Sequence, residues 1–427
     1  MLAVGIDWAE EFHLVALGRP GEGVTEITRV EHTPAAVHDL IARLLALQPD
    51  PAEIRVVIET RHGLLVETLV DAGFTVLPVN PDLVARRRGP AKKKDDAEDA
   101  RIACLLALDQ FLDLRKLVPH DAQSAELRAI ARDDVRAGRD QRRLLNRLRA
   151  DLLAAFPAAV DIAGEDMASP VFLALLEHWP TATALGAASR DEVEAFARSC
   201  RHGWPGRFAD RVGDALARDH FAAKDYLVRA KADSIRLAAQ QLLLLHTQRR
   251  AWERRMGELL LGAPRTGRDR KPGDDRGPAV PGGELYLSFA GLGDLLAARI
   301  AGEIGDIRQY DTPNALQCYA GKAPVTRRSG KSELVVATRL ACNRYLADAV
   351  QQWAFCSLRR SSWAREFYDT QRDRGKGHHA ALRALGNRWL EVLWHCLTKG
   401  VAYDESLHVA NRNRAIGHTT TPAHKAA

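Results

Sequence analysis

The chain has 427 residues, of which 46% are hydrophobic and 27% charged, and its net charge is +6. This length is enough for two or three domains, and the composition is that of a globular protein rather than a disordered one. No apolar run approaches the roughly 20 residues that cross a bilayer, so we expect no membrane partner. The six cysteines form no C-x-x-C pair, which excludes a zinc ribbon and a disulfide framework and fits a reducing cytoplasm.

The first 115 residues predict an α/β domain. Apolar strands are indicated at LAVGIDW, HLVALG, EIRVVIET and FTVLPVN. Helices are indicated at TPAAVHDLIARLLAL, with Thr33 as the N-cap, and at HGLLVETLVDAG, which Gly73 ends. The predicted order is ββαβαβ followed by a helix from about residue 95, which is typical of a mixed sheet covered by helices.

Helical patterns dominate the rest of the chain. Residues 116–263 predict two long helices separated by a shorter helical insert over 159–220, and the long pair could form an antiparallel hairpin or a coiled coil that joins two chains. Residues 264–283 are rich in Pro and Gly and predict a flexible linker. Residues 284–403 predict a mainly α-helical domain, and 404–427 a disordered tail.

Positive charge is concentrated near the C-terminus. Between Lys322 and Gly400 there are 15 Lys and Arg against 6 Asp and Glu, so the remainder of the chain is slightly acidic. A local excess of this size favours a polyanionic partner, usually a nucleic acid.

Acidic residues gather at the start of the helix that begins near residue 95, in the stretch KKKDDAEDARIAC. Acids in a first helical turn offset the helix dipole, which is the simplest interpretation of this stretch alone. Asp96 and Asp99 share one helix face, but Asp95 and Asp99 also do, so spacing leaves the pair undecided. Asp7 and Glu59 end two apolar strands. Joined on one sheet, these carboxylates would repel each other unless cations such as paired Mg²⁺ ions neutralise them.

The ordered set of Asp on a first strand, Glu on a later strand and D-x-x-D-A on a helix resembles the DEDD-type insertion-sequence transposases related to the pilin-gene invertase. The matching stretches are VGIDWAEEFH, VVIETRHG, PVNPDLVARRRG and KDDAEDARIAC. The resemblance implies a RuvC-like (ribonuclease H-like) fold that binds two Mg²⁺ ions, for which Mn²⁺ could substitute. It selects four metal ligands and catalytic acids: Asp7, Glu59, Asp96 and Asp99.

A second candidate centre lies in the stretch RRSGKS. By composition it is a flexible basic loop that contacts phosphates, because an unactivated serine is a poor nucleophile. The longer stretch AGKAPVTRRSGKS resembles the transposase domain of the same family, which implies that Ser329 is the nucleophile and leaves Ser332 as the alternative. We expect nucleic-acid contacts from basic residues near the two centres: Arg86, Arg87, Arg88, Lys92, Lys93, Lys94, Arg327, Arg328 and Lys331.

Together these matches imply a recombinase that moves its own insertion sequence through a covalent seryl–DNA intermediate. The implied partners are DNA (the element ends and the target), a structured bridge RNA that selects the sites, and further copies of the chain in a dimer or tetramer. The expected location is the prokaryotic cytoplasm, at the nucleoid. Two alternatives remain open: a metal-only nuclease that acts on branched DNA, and a nucleic-acid-binding protein without catalysis.

Overall fold

The computed structural model describes residues 1–61, 63–88, 95–112, 114–118, 121–262, 279–329, 332–336 and 342–411, without the side chains of 325–329 and 332–336. The chain forms two compact units, Met1–His120 and Asp121–Ala427. No helix within these described ranges is both long and apolar enough to span a lipid bilayer.

Unit 1 is built on a five-stranded mixed sheet with the strand order β3-β2-β1-β4-β5. The central strand β1 pairs antiparallel with β2 and parallel with β4, and β4 pairs parallel with β5. The strands are β1 (Leu2–Asp7), β2 (Phe12–Arg19), β3 (Gly23–Glu31), β4 (Ile54–Ile58) and β5 (Thr75–Pro78).

The order of elements predicted along the chain, ββαβαβ, was wrong in one respect: it lacks the strand β3. β3 continues the antiparallel meander from β2. Its apolar residues Val24, Ile27 and Val30 recur every third position rather than every second, and Ile27 is exposed. A strand at a sheet edge that buries little apolar surface carries a weak sequence signal, since the alternation of buried and exposed positions is what identifies a strand.

Helices cover both faces of this sheet. The helices are α1 (Pro34–Leu47), α2 (Leu64–Asp71), α3 (Pro81–Arg88) and α4 (Asp96–Leu108). As predicted, the Thr33 side chain caps α1 by accepting a hydrogen bond from the Ala36 amide. α1 and α2 pack on the face that carries Val4, Ile6 and Ile58, whereas α3 and α4 pack on the opposite face.

Two long helices form the frame of unit 2. α5 (Ala122–Ala155) and α11 (Asp225–Leu261) pack against each other as an antiparallel pair. Three ion pairs show the antiparallel direction, because the residue numbers of the partners rise along α5 and fall along α11: Glu126–Arg255, Asp134–Arg249 and Asp151–Lys231. One of the two predicted arrangements, the hairpin within a single chain, is therefore present.

Shorter helices pack on the ends of this pair. Between the long helices lie α6 (Ala158–Ala163), α7 (Pro170–His178), α8 (Ala182–Gly186), α9 (Arg190–Ser199) and α10 (Pro205–Ala217). After them come α12 (Gly283–Tyr286), α13 (Asp294–Ile304), α14 (Pro313–Tyr319), the strands β6 (Val325–Ser329) and β7 (Ser332–Val336), α15 (Arg344–Ser357), α16 (Ser362–Asp373) and α17 (His378–Lys399). Trp353 and Trp389 stack in the core of these last helices.

Two predicted boundaries need correction. The predicted linker 264–283 ends inside the folded part, because Val280 is buried in the core; residues 263–278 lie outside the described ranges. The predicted disordered tail begins with a helical segment over 405–411. Glu405 there accepts hydrogen bonds from Ser361 and Ser362, and the His408 ring packs against Trp363. Residues 412–427 are not described.

Candidate active site

Asp7 and Glu59 come together because β1 and β4 are parallel and in register. Ile6 pairs with Ile58, so the next residues along the two strands, Asp7 and Glu59, are neighbours at the carboxyl edge of the sheet. Successive side chains of a strand point to opposite faces. Ile6 and Ile58 face α1 and α2, so Asp7 and Glu59 lie on the face that α4 covers. Both acids are half-buried.

Asp99 reaches the same edge because α4 packs very closely on β1. A Cβ atom at Gly5 would lie 2.1 Å from the Cys104 amide nitrogen and 2.2 Å from the Ala100 carbonyl oxygen, so only glycine permits this approach. The turn of α4 that precedes this contact carries Asp99, whose side chain is buried at 5% exposure. The alternation of the strands and the packing of one helix thus bring three acids to one edge.

A cation lies among these three acids. Arg88, the last residue of α3, donates hydrogen bonds from Nε, at 2.8 Å, and from Nη2 to Oδ1 of Asp99. The pKa of the Arg88 guanidinium is raised, first by the hydrogen bond to Asp99 and then by the negative charges of Asp99, Glu59 and Asp7. The carboxylates therefore create a local potential that stabilises positive charge.

Asp95 and Asp96 differ from Asp99 in their surroundings. Asp95 is the N-cap residue of α4 and Asp96 its first residue, and both side chains are exposed. Asp7, Glu59 and Asp99 lie at one edge of the sheet, where Arg88 contacts Asp99, and Asp96 is one turn away on the helix surface. Across the described residues, no group of three or more Asp, Glu, His or Cys side chains has the spacing of a metal site.

The chemistry of the three clustered acids nevertheless fits a hard divalent cation. Carboxylate oxygens are the ligands that Mg²⁺ prefers. These carboxylates also stabilise the positive charge of the Arg88 guanidinium, as they would that of a metal ion. Asp7, Glu59 and Asp99 are the residues that would hold a metal at this edge. The assignment of all four predicted ligands, with Asp96 included, stays a prediction.

The basic residues predicted near this edge have varied surroundings. Arg87 forms an ion pair with Asp109 at 3.0 Å, and Arg86 donates to the Asp82 carbonyl oxygen. Arg88 is engaged by Asp99. Lys92, Lys93 and Lys94 lie outside the described residues. One arginine of α3, Arg88, therefore offsets negative charge of the acid cluster. The sequence pattern did not distinguish this role from contact with phosphates.

The candidate nucleophile lies in a β-hairpin, where the sequence predicted a flexible loop. β6 and β7 pair antiparallel, and Ser329 pairs with Ser332 at the closed end of the hairpin. Both candidate serines are therefore at the hairpin tip. The predicted contacts Arg327 and Arg328 belong to β6, but their side chains, together with Lys331, lie outside the described part of the chain.

A buried polar network anchors the chain after this hairpin. The Asn343 side chain, which caps α15, donates to Glu303 Oε2 at 2.7 Å and to the Tyr319 hydroxyl at 2.9 Å. Glu303 is 2% exposed and also accepts two hydrogen bonds from Arg132, at 2.6 and 2.9 Å. Three helices, α5, α13 and α15, are thereby joined at the point where the chain leaves the hairpin region.

Comparison with known proteins places this chain among mobile-element proteins. Residues 4–157 match a family model described as transposase (DEDD_Tnp_IS110), and residues 283–369 match one described as transposase of the IS116/IS110/IS902 family. The "Mini-circle putative transposase for IS117" of Streptomyces coelicolor is 32% identical over 94% of this chain and 95% of its own length. The uncharacterized 42 kDa protein of insertion element IS900 from Mycobacterium paratuberculosis is 30% identical over 88% and 90%. The chain therefore belongs to the DEDD-type IS110/IS116/IS902 family of insertion-sequence transposases.

Proposed function

We propose that this transposase cuts and rejoins DNA by a metal-assisted attack of Ser329 on a phosphodiester. The observation that carries the metal part is the placement of Asp7, Glu59 and Asp99 at the carboxyl edge of a mixed sheet, where Arg88 contacts Asp99 and is influenced by the charges of the other two. The strand order and the parallel β1–β4 pair are what a RuvC-like domain requires, which supports that finer assignment of unit 1.

The acids of unit 1 would hold Mg²⁺, which when bound offsets negative charge on the phosphate oxygens. Their position supports this role, because residues at the carboxyl ends of parallel strands tend to form functional sites. Asp96 lies one helical turn from Asp99, which is within reach of the same face. The family's requirement for a divalent metal supports the same assignment.

In the proposed cleavage step, Ser329 Oγ forms a bond to phosphorus and the bond from phosphorus to the leaving sugar oxygen breaks. The serine proton is lost and the leaving oxygen becomes a free hydroxyl, so the number of phosphodiester bonds is conserved. In the rejoining step, a DNA hydroxyl attacks the seryl phosphodiester and Ser329 regains its proton. The position of Ser329 at a hairpin tip supports access to a DNA strand.

The test is to trap the covalent adduct. Wild-type protein is incubated with DNA carrying the element ends and Mg²⁺, denatured, and analysed for protein linked to labelled DNA, with peptide mass spectrometry to locate the bond. We expect the adduct on Ser329, its loss in Ser329→Ala, and its retention in Ser332→Ala, the control at the paired position of the hairpin. Mg²⁺-dependent cleavage without any adduct would establish the alternative, a metal-only nuclease in which water attacks.

A structured RNA encoded by the element is the proposed source of site selection, acting with an oligomer of this chain. The exposed arginines of α5, among them Arg142, Arg147 and Arg149, support an RNA-binding surface, because RNA shape is bound through charge. Recombination assays with and without the RNA test this. Changing the RNA loops should redirect the target, and efficient site-specific recombination by RNA-free protein would contradict the proposal.

A further inference from the structure

A cavity in unit 2 opens beside the start of the β6–β7 hairpin. Its volume is about 810 Å³, and it lies between α14, α16 and α17. Pro324, which immediately precedes β6, forms part of its wall. This volume is within the range of cavities that bind small organic ligands. The cavity therefore has room for a phosphate together with the nucleoside attached to it.

Four cationic side chains and one carboxylate line this cavity: Lys322, Lys376, Arg383, Arg388 and Glu391, of which Arg388 and Glu391 form an ion pair with each other. Lys322 is 6% exposed and donates a hydrogen bond from Nζ to the neutral Gln351 Oε1 at 2.9 Å. Arg383, half-buried on α17, lines the same cavity. Neither forms an ion pair with any carboxylate among the described residues. Burying a charge without a paired counter-ion is costly, and Asp348 acts on Lys322 only through its charge, so a bound anion would stabilise both cations.

Neutral hydrogen-bonding groups complete the wall. The side chains of Gln317 and Gln371 are each at least nine-tenths buried, and the Asn387 Oδ1 atom is buried without a hydrogen-bond partner among the residues the structure describes. Buried polar atoms are almost always hydrogen-bonded in folded proteins, so this oxygen is available to accept a hydrogen bond from a bound molecule. Phe367 adds an aromatic surface to the same wall.

We propose that this cavity binds a backbone phosphate, with its nucleoside, of the DNA strand that Ser329 attacks. Lys322 and Arg383 would hold the phosphate by charge-assisted hydrogen bonds, while the buried amides and Phe367 contact the nucleoside. The five residues of β6 that lead from the cavity wall to Ser329 span about 17 Å at roughly 3.3 Å per residue, the reach of a few nucleotides. The choice of DNA rests on the proposed function.

The test measures binding rather than catalysis, so it is independent of the adduct experiment. The full chain carrying Ser329→Ala is titrated against a fluorescent single-stranded DNA of about 20 nucleotides and against RNA of the same sequence. The variants Lys322→Met and Arg383→Gln are compared with Arg359→Gln and Lys399→Met. These controls remove the same charges from exposed positions of unit 2 outside the cavity.

We expect Lys322→Met and Arg383→Gln each to weaken DNA binding about tenfold, and the controls less than about twofold, because only the cavity residues would make charge-assisted contacts. Each cavity variant should also reduce the slope of log affinity against log salt by about 0.7. Should Lys322→Met fail to fold, Arg383→Gln still tests whether the cavity binds DNA, because the Arg383 side chain is only half-buried. Equal losses in all four variants would overturn the site, and losses confined to RNA would reassign it to an RNA strand.

Discussion

Arg88 donates both of its described hydrogen bonds to a single oxygen of Asp99, the buried acid at the edge of the unit 1 sheet. The negative charges of Asp7 and Glu59 also raise the pKa of the Arg88 guanidinium. Arg88 therefore offsets part of the negative charge of the three acids. If Asp99 is a metal ligand, as proposed, a metal ion that binds it would compete with Arg88.

Arg88→Gln should lower the melting temperature of the metal-free protein by several degrees, because the three carboxylates then repel one another without a counter-charge. Mg²⁺ should reverse this loss, so the Mg²⁺-induced rise in melting temperature should be larger than in wild type. Thermal unfolding with and without Mg²⁺ measures both. Arg87→Gln is the matched control, since it breaks only the more exposed pair with Asp109. An equal response to Mg²⁺ in wild type and Arg88→Gln would contradict the competition.

Asp99→Asn should reduce Mg²⁺-dependent DNA cleavage about 100-fold or more, since metal stabilisation of the transition state is worth several kcal/mol. Affinity for nucleic acid should change little, because the substitution keeps the shape of the side chain. Cleavage and binding assays on one preparation separate the two effects.

Asp95→Asn serves as the control for Asp99→Asn, because Asp95 lies outside the D-x-x-D-A motif that selects Asp96 and Asp99. It should retain nearly full cleavage activity, whereas Asp96→Asn should lose it. An inactive Asp95→Asn beside an active Asp96→Asn would show that the wrong pair of acids was chosen as ligands.

Gly5→Ala should disrupt unit 1, because the added Cβ overlaps backbone atoms of Ala100 and Cys104 that cannot rotate away. Overpacking of this kind costs about 1–3 kcal/mol or more, and here it also displaces Asp99 from the acids of β1 and β4. Urea unfolding and cleavage activity should both decline. Gly213→Ala, in the middle of α10 with open space around it, should instead stabilise by about 0.5–1 kcal/mol. A neutral Gly5→Ala would refute the close approach of α4.

Lys322 should make stability depend on pH in a defined window. Burial, and next the charge of Arg383, lowers the pKa of Lys322 from 10.5 to about 8, although Asp348 and Cys342 act in the opposite direction. Between about pH 8 and the ordinary lysine value the unfolded chain binds more protons than the folded chain, so the free energy of unfolding contributed by this group rises with pH. Below pH 8 the cost is present in full.

Lys322→Met removes that cost, and we expect it to raise the free energy of unfolding near pH 7 by an amount on the order of 3 kcal/mol. The difference from wild type should shrink as pH approaches about 10. Urea unfolding followed by tryptophan fluorescence reports on the surrounding helices, where Trp353 and Trp389 are buried. A difference that does not change with pH would mean that the pKa of Lys322 is the same in the folded and unfolded chains.

Local patterns in the sequence determined which elements form. The apolar stretches of β1, β4 and β5 and the amphipathic spacing of α5 and α11 predicted strands and helices at those places, because alternation and helical periodicity are properties of neighbouring residues. The same patterns placed Asp7 and Glu59 at strand ends. β3 was missed because it buries little and its apolar residues do not alternate.

Only the tertiary structure decided which acids meet and which buried cations have no ion pair among the described residues. Spacing along α4 permits Asp95 or Asp96 to pair with Asp99, and the packing of the helix on Gly5 is what buries Asp99 and turns the other two toward solvent. Lys322 and Arg383 lie far apart in the chain, and no local pattern relates them. They share one cavity because α14 and α17 pack together, and burial of a charge is a property of that packing rather than of the sequence around it.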